Sequence, residues 1–283
     1  MYHISTDENA VKDLSHSSGD PCPSTEISVI IGVLEHAMTA AALPREVSVD
    51  VQLIHWTGSL YPAYAAARIC YSKTGFAGVK PLESEQAMGE WLRDKVLSRH
   101  HWGILEHLDF HFHIRGISRA CSHQLVRHRL ASYAQQSQRY VDKGDFRYIV
   151  PDTIRNCPEA LALYRRVMAD LGDSYEQLQA LLHTAYPNLG NEDINQDARF
   201  VLPNACETEL VMKVNGRQLI EIAQKRLCSR AQWEIRALFE KIRALVQAEV
   251  PVIFDNLGPN CAWGTCHEGG CHLAAQYKRR PGW

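Results

Sequence analysis

Between His107 and Ile114 the chain alternates without a break: Leu108, Phe110, Phe112 and Ile114 are apolar, while His107, Asp109, His111 and His113 are polar. Side chains two apart on a strand share a face, so this pattern demands a strand with one face in a core and the other polar. Such a strand needs partner strands and apolar cover. Val47, Val49, Val51 and Leu53 alternate in the same way, as does Thr208 to Val214. Helical signals fall between them: the Ala-rich segment Tyr61 to Tyr71, a stretch from about Glu83 to Arg99, and Ile117, Ala120, Cys121, Gln124, Leu125 and His128 at three- and four-residue steps. Helices are also expected at about Gln218 to Leu227 and Ala231 to Ala248, where Pro251 marks the end. Unaided, these periods predict a soluble α+β protein.

With 283 residues the chain can bury a core without disulfides. Its 30 Lys and Arg against 32 Asp and Glu give a formal charge of -2, so no global field draws it to nucleic acid or anionic lipid. Any anion site must be a local cluster of cations. No apolar run approaches the length of a membrane span, and residues 1–25 lack a basic start with an apolar centre, so the expectation is a cytoplasmic protein with no membrane partner. Residues 1–45 read as a partly disordered leader ending in a short helix, 46–257 as the folded domain, and 258–283 as a Cys/His-rich tail.

Nine cysteines are present. Cys70, Cys121, Cys206 and Cys228 sit in apolar or amphipathic segments and are expected to be buried thiols. In the tail, Cys261, Cys266, His267, Cys271 and His272 could hold a structural zinc, although the spacing lacks paired Cys-x2-Cys knuckles; the alternative is a disordered tail with reduced thiols. The histidines alternating from His107 to His113 could suggest a metal face, but neighbours on one strand diverge too far from a single centre. Hydrogen-bonding roles at a subunit contact are preferred.

The segment Arg127 to Tyr140 packs three arginines, a histidine and several neutral hydrogen-bonding side chains into fourteen positions. Guanidinium forks bind phosphate oxygens bidentately, and carboxamides and hydroxyls read heterocycle edges, so a nucleotide is the expected ligand. A solvated basic face or a polynucleotide contact would use similar residues. The cluster follows a helix, whose C-terminal dipole opposes a phosphate, so side-chain cations must supply the attraction.

The order of residues is more specific than their charge. Arg127-His128-Arg129, seven residues, then Ser137 and Arg139, resembles the signature of the flavin-dependent thymidylate synthases. The flanking blocks agree: Ala66 to Tyr71, His101 with Leu105-Glu106-His107, Arg115 to Arg119, Ala198 to Asn204, Val214 to Arg217, and Arg226 followed by Ala231 to Ile235. The resemblance spans about residues 50 to 255. It implies an α+β fold with a mixed or antiparallel sheet and long helices, one synthase domain per chain, assembling as a homotetramer with active sites shared between subunits. The implied reaction methylates dUMP to dTMP, with FAD as cofactor and NADPH and 5,10-methylenetetrahydrofolate as co-substrates. The implied reaction uses no enzyme cysteine as nucleophile.

Carried over position by position, the resemblance makes Arg226 the catalytic cation that activates the pyrimidine. It implies flavin contacts at Gly103, Arg127, His128, Arg129, Gln135, Asn215, Gly216, Arg217 and Glu221, with His101 near the flavin. Nucleotide contacts are implied at Gln124, Arg127, Gln135, Gln136, Ser137, Gln138, Arg139, Arg199 and Arg226. Some positions depart from relatives. Gln135 stands where some carry Glu, and Glu221 and Arg230 stand where some carry Asn and His, an exchange whose opposite charges invite an ion pair. Cys70 replaces a small polar residue. Two rival readings remain: a nucleic-acid-binding protein with a zinc-stabilised tail, and a flavoprotein that oxidises NADPH without methylating.

Overall fold

The computed structural model describes residues 46–263 and residue 271. The expected leader, and Cys266, His267 and His272 of the tail, lie outside the described residues. Along the chain run β1 (Asp50–Trp56), α1 (Tyr61–Ile69), α2 (Glu85–Lys95), β2 (Asp109–Ser118), α3 (Arg119–Leu125), β3 (Ser132–Gln135), α4 (Pro158–Ala185), α5 (Asn191–Ala198), β4 (Glu207–Asn215), α6 (Gly216–Arg226) and α7 (Trp233–Glu249). The four strands form one sheet in the order β1-β2-β4-β3, and every neighbouring pair is antiparallel.

The alternating segment forms the middle of this sheet, with Phe110, Phe112 and Ile114 fully buried beside Leu210, Met212 and Val214 of β4. Helix α7 supplies much of the apolar cover through Ile235, Leu238, Phe239, Ile242 and Val246, which recur at three- and four-residue steps and are all buried. Phe254 meets Phe110 edge-on at 5.4 Å. On the opposite face His113 bonds Glu209 at 2.5 Å, Asp109 pairs with Lys213 at 2.7 Å, and the His111 ring leans on His55. Among the described residues no group of three His, Cys, Asp or Glu could hold a metal ion.

Gly116 bends the end of β2. Its φ of +67° lies in the left-handed region, and a Cβ there would stand 2.0 Å from the carbonyl oxygen of Ser48. The bend interrupts the β2–β4 register between Ile114 and Ile117 and delivers Ser118 to the start of α3. The helix expected from Ile117 therefore begins at Arg119, because Ile117 and Ser118 still pair with Thr208 and Glu207.

Other expectations are corrected. The segment 83–99 divides into α2, capped by the Ser84 hydroxyl accepting from the Ala87 N–H, and a short 3-10 turn at Leu97–Arg99. His107 ends a separate 3-10 turn, Trp102–His107, and is not on β2. Cys70 is exposed and Cys228 only partly covered, because Cys70 follows the last turn of α1 and faces away from the core. Cys121 and Cys206 are buried as expected. The 28-residue α4, begun by Pro158 in its first turn, falls in a stretch that carried no sequence assignment. It buries Met168, Gly172 and Tyr175, and Met168 joins a small second core with Phe146, Tyr148, Val150 and Cys206.

Candidate active site

Helix α3 carries the site's first residues and is held at both ends. At its start the Ser118 hydroxyl accepts from the Cys121 N–H and donates to Glu234 Oε2 at 2.6 Å, while the Ser118 N–H donates to Glu234 Oε1 at 2.6 Å. Beyond its end, the Tyr133 hydroxyl from β3 donates to the carbonyls of Leu125 (2.9 Å) and His128 (3.3 Å), which offsets the negative helix end. Burial pushes the Tyr133 phenol up to about 12. In mid-helix the Gln135 amide donates to Ser122 and also to Thr208 of β4. Much of the Arg127–Tyr140 segment is thus a turn and a short strand, with Ser132 to Gln135 pairing against Lys213 to Leu210.

Arg226, the last residue of α6, reaches back to α3. Its Nε donates to His128 Nε2 at 2.9 Å, and its Nη2 donates to the Gln124 carbonyl at 3.3 Å. Burial, together with the charges of Arg226 and Lys225, pushes His128 down to about 4, so its imidazole is neutral near pH 7. Burial also holds Arg226 below the ordinary guanidinium value, an effect to which Arg127 adds. Arg127 and Arg129 are exposed. Among the described residues none of Arg127, Arg129 and Arg226 has a carboxylate partner.

A second group lies at the other end of α6, roughly 14 Å along the axis from Arg226 at 1.5 Å per residue. An open cleft of about 420 Å³ is lined by His100, His101, Trp102, Gly103, Arg217 and Glu221. Asn215 caps α6 by accepting from the Gln218 N–H, and Gly216 lets the helix start approach the Leu105 carbonyl, to which a Cβ would come within 3.0 Å. Arg217 donates to Glu106 (2.7 Å) and to Glu221 (3.0 Å), and Glu221 also accepts from Gln218. Glu221 makes an ion pair with Arg217 one turn earlier, because the i,i+4 spacing on a helix places the two side chains together.

The remaining residues of the motif form a third group after β3. Gln136 accepts from Lys143, the Ser137 hydroxyl accepts from the Arg139 N–H, and Gln138 lies against the Cys206 thiol. Arg139 pairs with Glu192 at the start of α5, and its carbonyl accepts from Asn195. Its Nε is buried without a hydrogen-bond partner among the described residues. Arg199 donates through Nε to the Gln196 carbonyl.

Sequence reasoning missed Arg119. Its guanidinium is held below its ordinary value by burial, has no carboxylate partner among the described residues, and feels the like charge of Arg199. Two neighbouring guanidinium groups without an acid between them invite an anion. The block Arg115 to Arg119 was legible in the sequence, but Arg199 lies 80 positions away, so the juxtaposition was not. A larger cleft of about 570 Å³ beside Gly116 differs in this respect: its Arg115, Arg147 and Arg155 are neutralised by Asp50, Glu207 and Glu46.

Residues 52–252 match the family described as thymidylate synthase complementing protein. The chain belongs to that family. It is 44% identical over 218 residues to a flavin-dependent thymidylate synthase of Geobacter sulfurreducens, covering 76% of this chain and 89% of the relative. It is 36% identical over 244 residues to the flavin-dependent thymidylate synthase of Clostridium tetani, covering 83% and 98%. Among solved structures, the UMP/dUMP methylase PolB from Streptomyces cacaoi, bound with 5-Br dUMP, superposes with a TM-score of 0.60 at 19% identity, covering 75% of this chain and 95% of that one. Thymidylate Synthase X from Helicobacter pylori, with FAD and dUMP, superposes with 0.54 at 21% identity, covering 74% and 98%. At those identities the two structures speak for the fold of the flavin-dependent thymidylate synthases. Among the described residues no helix is long and apolar enough to cross a membrane.

Proposed function

We propose that the chain is a flavin-dependent thymidylate synthase that methylates dUMP to dTMP, with FAD as cofactor, 5,10-methylenetetrahydrofolate as one-carbon donor and NADPH as reductant. Membership of the family is the first support. The observation that carries the assignment to residues is Arg226: a partly buried cation, without a carboxylate, held in a fixed plane by His128 and the Gln124 carbonyl.

Uracil C5 is a poor nucleophile, and the ring is activated either by covalent attack at C6 or by stabilising charge on the ring oxygens. The buried thiols nearest the site suit the first route poorly. Burial pushes both Cys121 and Cys206 above the ordinary thiol value, so neither is a ready thiolate at pH 7. Arg226 suits the second route, because a preorganised cation at the pyrimidine stabilises negative charge as it develops. Gln124 and Gln135 would read the base. Gln136, Ser137, Gln138, Arg139 and Arg199 would take the sugar and phosphate, and Arg119, which feels the charge of Arg199, would join it at the phosphate.

The residues around the cleft at Gly103 fit part of a flavin. Its volume lies in the range of small-molecule sites, Gly103 leaves open space toward Arg217, and the α6 start offers backbone donors. Gly103, Asn215, Gly216, Arg217 and Glu221 would hold FAD there, and Arg127, His128, Arg129 and Gln135 at the other end of α6. FAD bound there would, once reduced, supply the hydride. Because one chain sets these groups at opposite ends of a helix, a homotetramer in which neighbouring subunits complete each site is part of the proposal, with residues 46–257 as the synthase domain.

Anaerobic incubation of the purified protein with dUMP, 5,10-methylenetetrahydrofolate and NADPH tests the function. The protein should purify yellow, bleach with NADPH and yield dTMP. Bleaching without dTMP would instead support an NADPH-oxidising flavoprotein.

A further inference from the structure

We propose that His128 is a positioning residue for Arg226, a role separate from any contact it makes with flavin; this rests on Arg226 acting at the pyrimidine. The geometry is specific. An imidazole Nε2 that accepts a guanidinium N–H at 2.9 Å must be unprotonated there, so the ring is neutral with its proton on Nδ1. Arg226 carries an always-charged fork on a flexible stem, and an unbraced stem samples many rotamers. Two acceptors from one segment remove that freedom: His128 takes Nε, and the Gln124 carbonyl takes Nη2. The guanidinium plane is thereby fixed, and Nη1 is left without a partner among the described residues.

The brace is itself rigid. The His128 N–H donates to the Leu125 carbonyl at 3.1 Å, and the His128 carbonyl accepts from the Ala131 N–H and the Tyr133 hydroxyl. The charges around the ring are cationic: Arg226 and Lys225 from α6 act on it, and Arg127 and Arg129 flank it in sequence. With no carboxylate to share, a neutral acceptor is the group that can hold Arg226 without neutralising it. A carboxylate at position 128 would fix the same plane but cancel the field that the pyrimidine needs. His128 thus preserves a charge while orienting it.

The test compares holoenzyme variants, with FAD saturating, by dTMP turnover and KM for dUMP. With FAD saturating, His128→Phe should lower kcat roughly 10–100-fold, the scale of a displaced catalytic group, while KM for dUMP stays within about threefold. His128→Gln, which keeps an acceptor near the Nε2 position, should recover most of the loss. In an Arg226→Lys background, where the fork is gone, His128→Phe should add less than about twofold. If the Phe variant does not fold, His128→Asn, whose amide ends near the level of Nδ1, replaces it. The inference is overturned if kcat at saturating FAD is unchanged, if Gln rescues nothing, or if the loss multiplies in the Lys background. A wild type that forms no dTMP would sink the proposed reaction instead, a result distinct from each of these.

Discussion

Removing the Glu234 carboxylate should unseat α3 from a distance. Glu234 is 4% exposed and Ser118 is 3% exposed, and the two bonds between them join α7, the end of β2 and the cap of α3. In Glu234→Ala the Ser118 N–H and O–H both lose their acceptor out of reach of water. Each stranded donor costs about 1–3 kcal/mol, so the two together cost about 2–6 kcal/mol, a large part of an ordinary domain's stability. Glu234→Gln behaves differently. Burial raises the Glu234 pKa despite the lowering effect of the Ser118 bonds, so its charge is disfavoured in the folded state. A folded pKa above the unfolded one contributes stability that is present below about 4.5 and is lost as pH rises through the folded value. The neutral, isosteric amide keeps one of the two acceptors, so one donor is stranded instead of two and the cost should fall to about 1–3 kcal/mol at pH 7. The comparison should shift in favour of Gln as pH rises from about 4.5. Urea unfolding followed by circular dichroism measures both variants. Ser118→Ala added to Glu234→Ala should be sub-additive by about 1 kcal/mol or more, because the two share bonds. An Ala variant within 1 kcal/mol of wild type, or strict additivity with Ser118→Ala, would refute this account of the brace.

The folded pKa of His128 is about 4 against 6.5 in an unperturbed chain, so the unfolded state binds its proton more readily, and stability is lost as pH falls from about 6.5 toward 4. Urea midpoints of wild type and His128→Gln across that window should diverge, with the Gln protein losing less, whereas parallel curves would remove the linkage. If Arg119 holds the nucleotide phosphate as proposed, Arg119→Ala should raise KM for dUMP roughly 10–100-fold while FAD content is kept; an unchanged KM would place Arg119 outside the site. If the FAD site joins subunits, dilution or an interface substitution that lowers the mass seen by light scattering should release FAD in proportion, and a monomer with undiminished FAD affinity would contradict the shared site.

The contrast between what was and was not legible in the chain comes from sequence separation. The alternation at Leu108 to Ile114 was readable because a half-buried strand writes its period locally, and the same holds for β4 and for the stripe of α7. Strand β3 was not, because Ser132 to Gln135 has four residues, half of them exposed, and owes its existence to the β4 edge roughly 80 positions away. Cys70 was misjudged for a related reason: a helical period says which face is apolar but not where the core stops covering it. At the site, motif order supplied the names Arg127, His128 and Arg226, while their joint action depends on a bond across 98 positions. The Glu234–Ser118 brace spans 116 and involves two residues ordinary by type. Glu234 had been legible only as one member of a motif block. Its role comes from a bulge at Gly116 that turns β2 toward α7, and the signal for that bulge is a single glycine whose purpose appears only when Ser48 lies against it. Local periodicity therefore identifies the elements, the ordered motif identifies the chemistry, and the long-range bonds that aim one at the other are written in the fold alone.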